Sequence, residues 1–175
     1  MSPAARKLML TAHVTFSVGW IGALAGFLVL SVIGLVSEDA LTVRSAYLAA
    51  DLINRFVIVP AALLSLLTGI FQSLGTLWGL LRHYWVVFKF VIIITATGML
   101  LAKTGPITDM AHTAAQTALT STDMRGLRLS ILGHAIGGLA VLLWVMALGM
   151  YKPKAMTPYG FRNSGMSDGQ LSRNS

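Results

Sequence analysis

No cysteine occurs in the 175 residues, which excludes disulfides, iron–sulfur clusters and thiolate metal or nucleophile sites. Acids are nearly as scarce. Six Asp and Glu stand against thirteen Lys and Arg, and only 11% of the chain is charged, where soluble domains carry about 25%. That is too little charge to coat a soluble globule of this size. A hydrophobic content of 55% equally excludes a disordered chain. No G-x-S-x-G, H-E-x-x-H or Walker-type phosphate loop occurs, and no carboxylates pair at membrane depth. Hydrolytic and ATP-coupled chemistry therefore lack their residues.

What is present is apolar and continuous. Leu8–Ser37, Phe56–Leu81 and Leu129–Tyr151 carry no Asp, Glu, Lys or Arg over 30, 26 and 23 residues, and mean hydropathy is +0.75. A bilayer core about 30 Å thick takes roughly 20 helical residues. The pattern predicts an all-α polytopic membrane protein, a four-helix bundle over 1–151. Its spans are expected at about 8–36, 52–81, 83–102 and 124–151. The first apolar stretch is about twice the length of a signal-peptide h-region and reads as a retained helix. Pro60 predicts a kink in the second span, and Gly105-Pro106 an end to the third. Apolar residues at 107, 110, 111, 114, 115, 118 and 119 then predict a short, separate amphipathic helix over about 107–120, on the outer membrane surface or the bundle mouth. Residues 152–175 read as a disordered cytoplasmic tail.

Net charge +7 points to the lipid bilayer rather than nucleic acid, because the basic residues flank apolar runs or sit in the tail. Their distribution favours both termini on the cytoplasmic side: seven bases fall there, against four or five outside. Small residues at four-residue spacing (Gly22/Gly26, Ser65/Gly69/Ser73, Gly133/Gly137) mark candidate helix contacts within the bundle, a homo-oligomer or a membrane partner.

Ionisable groups at membrane depth point to function because burying them is costly. His13 and Lys89 both lie about 8 Å inside the inner boundary, counted at 1.5 Å per residue. Ser17 and Trp20 share the face of His13. At the outer side Asp51 and Arg55 form an i, i+4 pair, and His134 enters the fourth span at similar depth. Asp51, Arg55 and His134 meet if the second and fourth spans are neighbours. His13 and His134 differ in depth by about 13 Å in a core of about 30 Å, too far for trans ligands of one haem. Each residue also has a plainer role. Lys89 can snorkel past Trp85, His13 can bond between helices, Asp51–Arg55 can be structural, and His134 can pack beside Gly133 and Gly137. Met99, Met110, His112 and Met124 form an outer set of soft donors suited to Cu(I).

His13 with Trp20 and Gly22, Arg55 with Pro60 and Leu67-Thr68-Gly69, and Trp85-x-x-x-Lys89 together resemble the HemJ-type protoporphyrinogen oxidases over roughly residues 8 to 102. The same architecture is similar to the CopD-like copper-resistance membrane domain. The stretches SLGTLWGLLRHYWVVFKF and YKPKAMTPYG resemble a group of small bacterial four-helix membrane proteins. The first resemblance implies a b-type haem on the His13 and Lys89 positions, with His13 on the iron, Arg55 as an anion contact and Trp20 in the pocket wall. The resemblance to the small bacterial four-helix proteins implies a bacterial inner-membrane location. A non-enzymatic membrane scaffold or accessory subunit, and copper handling at the outer face, are the alternatives.

Overall fold

The computed structural model describes residues 2–74, 84–116 and 124–151. Among them every regular element is helical: α1 (Pro3–Val36), α2 (Ala40–Ile53), a π-helical turn (Asn54–Ile58), α3 (Val59–Leu74), α4 (Tyr84–Gln116) and α5 (Arg125–Tyr151). Four stretches are long and apolar enough to cross a membrane: Pro3–Val36, Ala40–Ser73, Val87–Gln116 and Arg125–Gly149. The second of these runs unbroken from α2 through the π turn into α3. The expected tail, His83, Arg82 and Trp78, and the side chains of Tyr84 and Trp85 lie outside what is described.

Local chemistry starts two of the helices, the first of them five residues before the expected start at about residue 8. Ser2 Oγ accepts from the Ala5 N–H, with Pro3 in the first turn of α1. Asp39 Oδ2 accepts from the Thr42 N–H at 2.9 Å and the Thr42 hydroxyl at 2.6 Å, starting α2. These bonds favour the carboxylate and hold Asp39 below the usual Asp range. Because the folded value is lowered, the cap contributes fully above the ordinary carboxylate pKa and is lost as pH falls through the lowered one. Hydrogen exchange at Thr42 should therefore keep its protection down to pH about 4 and lose it only in stronger acid. Loss of protection already near neutrality would refute this.

Both prolines are accommodated without a break. Pro60 has no N–H to offer the Phe56 carbonyl, and its ring crowds that carbonyl. The chain widens one turn earlier instead. The Val59 N–H donates to Asn54 O, an i to i+5 bond, and the π turn brings both Asn54 and Ile58 inside. A π-helical turn thus stands where a kink was expected.

The larger correction concerns α4. Gly105-Pro106 does not end the third span: α4 runs continuously to Gln116 with Pro106 inside it, so residues 107–116 belong to α4 rather than to a separate amphipathic helix, and residues 117–120 of that expectation lie outside the described residues. The amphipathic face is real, but its partner is protein. Ile107, Met110, Ala111 and Ala114 are buried, as are Val43, Ala46, Tyr47 and Ala50 on α2. Both sets repeat at i, i+3, i+4, i+7, and α2 packs directly on α4. Burial of two matched faces offsets the roughly 3 kcal/mol that an interior proline costs.

At 1.5 Å per residue, α4 is about 50 Å long, well beyond a core of about 30 Å. Part of it therefore projects past the hydrocarbon. α1 packs on α2, α3 and α5, whereas α4 leans on α2, α5 and, more lightly, α3. In its most apolar stretch only 6% of α4 is buried, against 28% for α1. That loose seating leaves space inside the bundle.

Candidate functional site

The space is a cavity of about 660 Å³, walled by α1, the π turn, α4 and α5. It falls within the 300–1,000 Å³ typical of cofactor and small-molecule sites. Trp20, Leu24 and Phe27 form its α1 wall, and Ile58 and Asn54 come from the π turn. On α5 the wall is built largely by missing side chains: a Cβ on Gly133 or Gly137 would meet nothing within 4 Å. Polar groups are few among so many apolar ones, namely Asn54, Thr95, Lys103, Ser130 and His134.

Two of these groups have their hydrogen-bonding state set by neighbours. His134 Nδ1 lies 2.6 Å from its own helix's Ser130 carbonyl, which can only accept. Nδ1 therefore carries a hydrogen, and in the neutral ring the lone pair falls on Nε2, the tautomer that a metal-ligating histidine requires. The Thr104 hydroxyl donates to Leu100 O at 3.1 Å and so accepts from Asn54 Nδ2 at 3.3 Å. That orientation leaves Asn54 Oδ1 buried with no partner.

The other sequence-derived residues form two further clusters. His13 Nδ1 donates to the Ser65 carbonyl at 3.0 Å and to the Thr68 hydroxyl at 3.2 Å, while Thr68 donates to Leu64 O at 2.6 Å. Ser17 and Ser65 hydroxyls meet at 2.8 Å. The imidazole lies over Gly69, where a Cβ would come within 3.1 Å of Cε1. His13 is thus the glue between α1 and α3, and the small residue at 69 is what lets its ring in. Lys89 reaches across to α5, its Nζ 2.9 Å from where a Cβ on Gly149 would lie. Neither His13 nor Lys89 lines the cavity.

Asp51 and Arg55 pair as their spacing implies, Nε to Oδ1 at 3.0 Å. Their third partner is Thr108 on α4, which accepts from Arg55 Nη2 at 2.6 Å and donates to Asp51 Oδ1 at 2.8 Å. His134 does not join them; it faces the cavity instead. Thr108 stands 19 residues from Lys89 on one helix, about 28 Å along its axis. The set His13, Lys89, Trp20 and Arg55 is therefore not gathered whole, although Lys89 lies within electrostatic reach of His13. Trp20 belongs to the cavity, and Arg55 to the opposite end of the bundle from Lys89.

The outer soft-donor set does not assemble either. On a continuous helix Met110 and His112 point to different faces. Met110 is buried and His112 exposed. Among the described residues no three His, Asp or Glu gather as a metal site.

Asn54, Lys103 and Thr108 escape sequence reasoning. Asn54 left a faint trace, as a lone amide between Asp51 and Arg55 shortly before Pro60. Comparison with protein-family models, curated proteins and solved structures finds no match to this chain.

Proposed function

We propose that the protein is an integral membrane protein that binds b-type haem within the bilayer, in the cavity beside His134. One observation carries this reading: an imidazole with Nδ1 committed to a backbone carbonyl, so that its other nitrogen is the one available to a ligand, on the wall of an apolar cavity. His134 would hold the iron. The Lys103 ammonium suits an anionic edge group, and Trp20 and Phe27 exclude water from the flat apolar face. Haem supplies one-electron chemistry at its iron when bound. The residues around the cavity would set its access and dielectric. The His13–Lys89 arrangement that the family resemblance implies is not supported as a cavity site, because the ring is wedged against α3 and the cavity lies elsewhere.

Haem titrated into protein purified in mild detergent should give a saturable Soret band and, on reduction, α and β bands. A spectrum that stays the sum of free haem and protein would refute the reading. The basic residues support an orientation with both ends cytoplasmic.

A second reading has its own observation. Gly19, Gly22 and Gly26 lie on an exposed face of α1, with nothing within 4 Å of where their Cβ atoms would be. That face suits close approach by a second copy or another membrane helix, as in a scaffold or accessory subunit. A monomeric mass in mild detergent, with no co-purifying chain, would count against it.

A further inference from the structure

We infer that the cavity opens sideways into the bilayer, through a portal between α4 and α5, and that a phospholipid acyl chain enters it there. The inference rests on the cavity being the ligand site and gives that ligand a route; it does not depend on haem. The lining residues divide into two groups. Trp20, Phe27, Ile58, Ile131 and Ala135 are buried and form the floor. Val91, Thr95 and Met99 on α4, together with Gly133 and Gly137 on α5, line the same cavity yet are exposed.

The exposed residues recur at i, i+4, i+8 on one helix and i, i+4 on the other, so they form the two facing edges of a seam parallel to the helix axes. Both edges lie inside the stretches apolar enough to cross a membrane, Val87–Gln116 and Arg125–Gly149. The medium at this mouth is therefore hydrocarbon, not water.

Shape identifies the occupant. The cavity extends from Val91 to Ile107 along α4 and from Ser130 to Leu142 along α5. These spans correspond to about 24 and 18 Å at 1.5 Å per residue. A slot that is long, narrow, apolar and aligned with the helices has the direction and chemistry of a lipid chain. An unfilled apolar slot of this size beside fluid hydrocarbon would forfeit the dispersion contacts of its whole lining. The seam is closed towards the chain's N-terminal end, where Phe88 meets Trp144 edge to face at 5.7 Å between centroids. Beyond that contact and Val141, the α5 edge carries only glycine hydrogens at Gly133 and Gly137, and the portal there is as wide as those missing side chains make it.

The test uses Trp20, which is 3% exposed and lies on the cavity floor. A variant carrying Trp78→Phe, Trp85→Phe and Trp144→Phe keeps Trp20 as the single indole. It is reconstituted, without haem, into phosphatidylcholine vesicles whose acyl chains are either brominated at mid-chain or unbrominated. The expected result is that Trp20 loses most of its fluorescence in the brominated bilayer. Gly137→Leu or Gly133→Leu, each adding its side chain into open space, should restore it. Trp20 fluorescence unaffected by bromine would overturn the portal. Quenching that persists in both glycine variants would overturn it too, since chains would then reach Trp20 by another way. Haem titration of the same vesicles reads the function proposed above separately: a quenched Trp20 with no Soret band would sink haem and leave the portal standing.

Discussion

His134→Ala is expected to abolish the Soret band of the haem-loaded protein, whereas His13→Ala leaves the band in place and weakens the bundle instead. The two imidazoles share one feature, Nδ1 donating to a backbone carbonyl, and differ in what surrounds the ring. His134 stands on the wall of a cavity of about 660 Å³, where removing it deletes the imidazole donor and leaves the cavity intact. His13 lies between α1 and α3 over Gly69, with Ser65 and Thr68 as partners. Its loss removes interhelical hydrogen bonds worth about 1–2 kcal/mol in a membrane bundle and opens a gap between helices. Paired spectra and chemical unfolding in mixed micelles separate the effects: His134→Ala should change the spectrum without the stability, and His13→Ala the stability without the spectrum. The reverse outcome would return the iron to His13, the position implied by the resemblance to the protoporphyrinogen oxidases.

Gly34→Ala is expected to destabilise the protein by about 1–3 kcal/mol, the cost of overpacking a filled interior. A methyl group there would fall 2.7 Å from both Cε2 and Cζ of Tyr47. The Tyr47 ring cannot step aside. It is 2% exposed, and the guanidinium of Arg128 sits 5.6 Å from its centroid. Arg128 is itself buried, donating from Nη1 to the Gly34 carbonyl at 3.3 Å near the C-terminal end of α1, where a cation offsets the helix dipole. Helices α1, α2 and α5 thus meet at one point, and the missing Cβ is what admits the ring.

Two companion variants sharpen this test. Tyr47→Phe removes a buried hydroxyl that has no partner and keeps the ring over which Arg128 sits, so alone it should be neutral or stabilising. It should not rescue Gly34→Ala, because the two closest atoms are ring carbons. Tyr47→Leu should recover part of the loss, with a coupling energy of about 0.5–3 kcal/mol in the double-mutant cycle. A Gly34→Ala change within about 0.5 kcal/mol of the parent would show that the helices part easily here.

Much of the molecule is legible in the order of its residues. Where charge is absent for more than 20 residues a helix long enough to span must form, because an unpaired backbone has no place in hydrocarbon. The Asp39 cap of α2 and the Asp51–Arg55 pair likewise follow from spacing alone, since both depend on atoms within one turn of chain. The face at 107, 110, 111 and 114 was equally readable; what it packs against was not. A helical stripe is the same pattern whether lipid or another helix covers it.

Tertiary structure decided the remainder. Pro106 stays within α4 because α2 supplies a matched face, an energy stored in residues more than fifty positions away. Thr108 joins Asp51 and Arg55, and His134 turns to the cavity, because α2 lies against α4 and not because either residue signals it locally. The cavity itself is set by how loosely α4 is seated and by glycines whose absent side chains are felt only where α5 faces it. Helix formation is settled by interactions within a few residues and is therefore written locally. A site is settled by which helices become neighbours, and that depends on the summed packing of the whole bundle.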